Sequence, residues 1–214
     1  MYELLVLALL MHWPLHAYRV AKIANEIIGP EEQISTGTLS TLLNKLVQAG
    51  LITPAEAGTG PFPTDRPSRA FAITPGGRER FFELMLDSSS HPGFYRRLFH
   101  IKALHLEFLP LESQLFLVEQ YLTYCRQVLR FKQADRQDVA GNPLKQEHVS
   151  PALREGAFAL MRLKTEQWQL ELVWGEVLRE RILARLKQGE RAVSMPGEEA
   201  ADSQVSSFTR SDEA

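Results

Sequence analysis

Every residue from Leu4 to Met11 is apolar. A helix built on that run has no polar side, so it must be enclosed all round. The run is far shorter than the ~20 residues that cross a bilayer, so the enclosure is expected to be protein and not lipid. No basic segment precedes it, no small-residue cleavage site follows it, and Pro14 comes soon after, which argues against a secretory signal. The expected element is a buried helix over Tyr2 to Trp13, ended by Pro14 because proline disfavours helix at the residue before it. With 214 residues, 44% hydrophobic and 23% charged, the chain has the composition of an ordinary globular protein of one domain or two small ones. Disordered, collagen-like and membrane classes are set aside. Its one cysteine, Cys125, can make neither an intrachain disulfide nor a cysteine-rich zinc site, and a cytoplasmic protein is expected.

What surrounds the first helix can be read in order. From about Leu15 to Ile28, Ala17, Val20, Ala21, Ala24, Ile27 and Ile28 recur at the spacing of one helical stripe, which Gly29 and Pro30 stop. Ser35 or Thr36 can cap a third helix with Leu39, Leu42, Leu43 and Leu46 inward and Thr38, Ser40, Thr41, Asn44, Lys45 and Gln48 outward; Gly50 closes it. Leu51 to Glu56 and Arg69 to Thr74 have strand character, and the Gly- and Pro-rich stretch Ala57 to Ser68 reads as the loop of a long hairpin. Thr74-Pro75, a capping hydroxyl before a proline at the first helical position, starts a fourth helix. Three helices, strand, loop, strand, helix is the layout of a winged helix-turn-helix.

Asp87 to Gly93 favours turns and marks a seam. Beyond it a shorter helix is expected around Phe94 to Leu109. Leu111, Leu115, Val118, Leu122, Cys125 and Leu129 then alternate steps of four and three, a coiled-coil-like seam that wants a partner helix. A last helix, about Ser150 to Leu186, carries Leu163, Leu170, Trp174, Leu178 and Ile182 on one side. These helices hold too little material to close a bundle alone, so two copies are expected to share a core, although the seam can also pair within one chain. From Gly189 periodicity is lost and acids dominate, as in a disordered tail. The expected fold is mainly α: a winged helix-turn-helix with a small β-hairpin wing over 1–87, an all-helical dimerisation domain over 88–188, and an acidic tail over 189–214.

The outward face of the third helix, with short hydroxyls, an amide and one cation, can reach base edges or phosphates in a major groove, and the free N–H groups near Ser35 and Thr36 suit a phosphate. A solvated helix face has the same composition; its position before a hairpin is what favours the DNA reading. Arg66 and Arg69 on the hairpin, with Arg78 and Arg80 just beyond, would neutralise phosphates or enter a minor groove, or simply balance Asp65, Glu79 and Glu83. Residues 1–87 hold seven Lys and Arg against nine Asp and Glu. Any basic footprint must therefore be local, with modest nonspecific affinity and a shallow salt dependence unless a second subunit doubles the contacts.

Enzyme chemistry finds little support. His12 and His16 are four apart, but Pro14 breaks the helical face a metal pair needs, and His100 and His105 share a face poorly. No phosphate-cradling glycine motif, paired carboxylates or nucleophile elbow is present, so no catalytic residue, metal or cofactor is expected. Cys125 sits in the apolar seam as a structural thiol. Tyr121, Tyr124, Trp168 and Trp174 could line a flat pocket for an aromatic ligand, or could be ordinary packing between helices.

The residues also carry a resemblance. Leu15 to Tyr18 read L-H-A-Y, Ser35 to Leu39 S-T-G-T-L, Leu46 to Ile52 L-V-Q-A-G-L-I, and Arg69 to Arg78 R-A-F-A-I-T-P-G-G-R. In this order, over about residues 4 to 84, the chain resembles PadR-like transcriptional regulators; the helical second half is similar to the dimerisation domain of longer members. The resemblance implies a dimeric repressor that binds double-stranded operator DNA and, in some members, releases it when a phenolic or other aromatic molecule binds. It puts Ser35, Thr38 and Lys45 on the recognition helix or its start and Arg69 on the wing strand. Ala17 stands where the family has glycine, and Ser40 where it usually has tyrosine. The rival expectation is a winged-helix adapter that uses the neutral or acidic module to bind a protein.

Overall fold

The computed structural model describes residues 1–55, 69–87, 92–141 and 150–189. The chain divides into two compact units, one from Met1 to Leu106 and one from Glu107 onward. In the first, α1 (Tyr2–His12) buries every side chain from Leu4 to Met11, as its lack of a polar side requires, and packs against α2 (Ala17–Ile28), α4 (Pro75–Leu86) and the sheet. Between α1 and α2 the chain makes a two-residue strand, β1 (Leu15–His16), so the second helix begins at Ala17 and not at Leu15 as its periodicity suggested. The reason is tertiary. Leu15 pairs with Phe71 and His16 with Ala70, adding a third antiparallel strand to the hairpin of β2 (Ile52–Ala55) and β3 (Ala70–Ile73), in the order β1-β3-β2. Pro54 therefore lies on an edge strand, where its missing N–H costs no central ladder bond.

The recognition-helix candidate, α3 (Thr36–Gln48), is set between α2 and β2. At its end Gly50 takes φ 69°, a left-handed conformation that favours glycine, and Leu51 N donates to Leu46 O. Thr74 caps α4: its Oγ1 accepts from Gly77 N at 3.0 Å and donates back to the Gly50 and Leu51 carbonyls. A Cβ on Gly77 would come 1.9 Å from Leu51 O, so only glycine lets α4 start this close to β2.

The first unit runs past the seam at residue 87 because α5 (Pro92–Leu104) is tied back onto it. Lys102 Nζ donates to Asp87 O, Arg97 pairs with Glu32, and His105 meets His12 with its Nδ1 3.3 Å from His12 Nε2. In the second unit α6 (Leu111–Gly141) and α7 (Pro151–Lys187) form a helical pair. The α6 seam is covered by α7 of the same chain: Leu111, Val118, Leu122 and Cys125 are buried, Tyr121 Oη donates to Glu171, and Arg126 and Glu119 pair with Glu176 and Arg179. The expected single apolar side of α7 is split. Ile182 is buried, whereas Leu163 and Leu170 are exposed. The acidic tail falls outside the described residues. No helix among those described is long and apolar enough to cross a membrane.

Candidate nucleic-acid interface

Leu39, Leu43 and Leu46 are buried beneath α3, and this fixes which side of the helix faces out. Ser35, Thr36, Thr38, Ser40, Thr41, Asn44 and Lys45 are all exposed, so the structure brings seven of the sequence-predicted residues onto one helix and the residue before it. Of the two candidate caps it is Ser35 that acts, its Oγ accepting from Thr38 N at 3.1 Å. Hydroxyl protons on this face are partly spent. Thr41 donates to Gly37 O at 3.0 Å, so toward a ligand it offers lone pairs and a methyl group. Ser35 and Thr38 hydroxyls lie 2.9 Å apart and share one proton, leaving one between them for an outside acceptor. Asn44, with donors and an acceptor, and Lys45, a cation, complete a face with the groups that read base edges and phosphates.

The charge question raised by the sequence has a local answer. α3 contains no acid and one lysine. Several acids of the unit are neutralised elsewhere: Glu3 and Glu83 on Arg80, Glu26 on Lys22, and Glu32 on Arg97. Arg80 is thereby engaged on the α1–α4 side. Arg69 is exposed at the start of β3, and its carbonyl accepts from Ala17 N, tying the strand to the head of α2. Arg66 lies outside the described residues.

One positioning residue was not picked out from the sequence. Asn25, within α2, clasps the backbone of Ile34: Oδ1 accepts from Ile34 N at 2.7 Å and Nδ2 donates to Ile34 O at 3.2 Å. This pair fixes the segment leading into α3, one residue before its cap. The only available signal was an asparagine in a helix interior, a residue that usually competes with helix for backbone partners.

The aromatic candidates lie in the second unit and are packed in pairs. Tyr121 meets Trp174 edge-on at 6.3 Å, and Tyr124 meets Trp168 at 5.6 Å. Burial and the hydrogen bond with Glu171 push the Tyr121 phenol well above its ordinary value, so it stays protonated. Burial likewise pushes the Cys125 thiol up to about 11, leaving it neutral and unreactive. Among the described residues no group of three or more His, Cys, Asp or Glu could hold a metal.

Comparison with known proteins finds a family likeness over the first part of the chain. The model of the transcriptional regulator PadR-like family matches residues 6–83. No curated protein matches. Among solved structures, the chain is similar to Bacillus subtilis PadR in complex with operator DNA, at 18% identity over 84% of this chain and 98% of that one, with a TM-score of 0.37. The same protein in complex with p-coumaric acid gives 17% identity, 84% and 94% coverage and a TM-score of 0.35. A PadR-like transcriptional regulator from Bacillus cereus gives 16%, 83% and 99%, and 0.32. The match over residues 6–83 makes the N-terminal part of the chain similar to the transcriptional regulator PadR-like family.

Proposed function

We propose that the protein is a sequence-specific DNA-binding regulator, a dimeric repressor that lays α3 in the major groove of its operator. The observation that carries this is the acid-free α3 face of hydroxyls, amide and lysine, backed by buried leucines within a PadR-like module. In this reading residues 1–87 bind DNA and residues 88–188 hold the dimer. Thr38, Ser40, Thr41, Asn44 and Lys45 read bases; Ser35 and Thr36 at the helix start, with Arg66 and Arg69 on the wing, hold phosphates. Two recognition helices about 34–36 Å apart would read a near-palindromic site.

The dimer surface in this reading is the outer side of α7. Leu163, Leu170 and Val177 are exposed there at the seven-residue intervals of a coiled-coil seam, and α6 lies against the other side, at Glu171 and Glu176. An aromatic effector belongs to the same proposal. Tyr121, Tyr124, Trp168 and Trp174 are its candidate residues, and a planar ligand would enter by parting one of their edge-on pairs.

A gel-shift with the protein's own upstream region at two salt concentrations tests the function. Salt-sensitive retardation is expected; none at low salt would leave the winged-helix adapter as the better reading. Arg69→Ala should weaken all duplexes alike, and Asn44→Ala should change the preference among them. Equal affinity of both variants and the parent for the native promoter would count against the assignment. Adding aromatic acids while following Trp fluorescence and retardation tests the effector, and no change in either removes it.

A further inference from the structure

Tyr2, the first residue of α1, takes part in a surface that the face of α3 does not by itself account for. Together with Gly37, Thr38, Thr41, Leu42 and Lys45 it lines an open groove of about 430 Å³ running along the flank of α3. Three of these residues, Thr38, Thr41 and Lys45, belong to the proposed base-reading face, so the groove is continuous with it. Its chemistry is one cation, one phenol, two threonines and no acid. Thr41 has spent its proton on Gly37 O, and Thr38 shares one with Ser35. The donors left for an anion at this flank are therefore chiefly the Lys45 ammonium and the Tyr2 hydroxyl, while Leu42 and Gly37 offer an apolar bed.

We propose that this groove seats one sugar–phosphate unit of the duplex read by α3, with the Tyr2 hydroxyl donating to a phosphate oxygen beside Lys45 and the sugar against Leu42. The inference rests on the DNA-binding reading above. An anion-donor pair next to an apolar strip fits the deoxyribose–phosphate backbone, and such a contact positions the protein without carrying sequence information. α1, whose remaining turns are core, thereby sets the register of α3 on the duplex through its first residue.

Tyr2→Phe removes the donor and keeps the ring. It should weaken binding to every duplex by the same factor, about tenfold for a hydrogen bond to a charged group, with the thermal midpoint unchanged. A methylphosphonate scan of the binding site locates the contact. Neutralising the contacted phosphate should weaken the parent about tenfold more than it weakens Tyr2→Phe, which keeps only the Lys45 attraction to lose. Parent-like affinity of Tyr2→Phe, in a protein whose Lys45→Ala variant binds DNA less tightly, overturns the inference and leaves the DNA-binding reading standing. Weakened binding with no single phosphate coupled to Tyr2 overturns it as well. Failure of the parent to bind any duplex removes the reading on which it rests.

Discussion

His105 is buried at 4% exposure and faces His12 across 3.3 Å, although 93 residues separate them in the chain. Burial first, and the nearness of His12 second, push its pKa down to about 4. The unfolded ring takes a proton near 6.5 and the folded one only near 4, so between these values the unfolded state binds more protons. The stabilisation from keeping His105 neutral is complete above pH 6.5 and is lost as pH falls toward 4, up to roughly 3 kcal/mol. The urea midpoint should accordingly fall between pH 6.5 and 4, and His105→Phe should flatten that fall; a parent midpoint that is level across this window would contradict the argument. Lys102, pushed down to about 8 by burial, acts in the same direction in a higher window, stability rising between pH 8 and 10.5. None of this was legible in the sequence. Spacing showed only that His12 and His105 lacked helical neighbours for a metal, and their meeting depends on how α5 folds back onto α1.

At the scale of elements, the signals that could be read were those completed within a few residues. Ser35 caps α3, Gly50 ends it, and Thr74-Pro75 starts α4, each as its local chemistry dictates. Leu39, Leu43 and Leu46 inward and the outward polar face of α3 follow from period alone, whereas Leu42, expected inward with them, is half-buried and lines the groove on the helix flank. β1 escaped because two residues carry no period; Leu15 and His16 are strand only because Phe71 and Ala70 lie beside them. Asn25 escaped for the same kind of reason, since its partner Ile34 belongs to the next loop. Its removal has a distinct signature. Asn25→Ala gives up two bonds to one backbone unit and should cost about 1–3 kcal/mol. It should also lower DNA affinity without altering base preference, because the reading side chains of α3 are untouched while the segment delivering them is loosened. Thermal unfolding and a competition gel-shift over several duplexes measure both. An unchanged melting midpoint would show that the clasp carries no weight.

For the whole molecule, a seam with 3.5-residue spacing announces that a helix must lie against it, but not which chain supplies that helix. In α6 the seam is met by α7 of the same chain, through Tyr121, Glu171 and a buried Gly175. This moves the question of self-association to the far side of α7, where Leu170 is 71% exposed. An exposed leucine contributes little to the stability of one chain, so a charge there is nearly neutral for folding and disruptive only where a second copy covers it. Leu170→Glu should keep the helical circular dichroism and the melting behaviour while shifting the protein from dimer to monomer in sedimentation velocity. Operator binding should change in a related way. With both half-sites held by one dimer, the second contact is made at high effective concentration; a monomer loses that gain and should bind the full site little better than a half-site. A parent that sediments as a monomer at micromolar concentration would overturn the dimer itself, and a Leu170→Glu variant that stays dimeric and keeps its preference for the full site would place the pairing surface elsewhere.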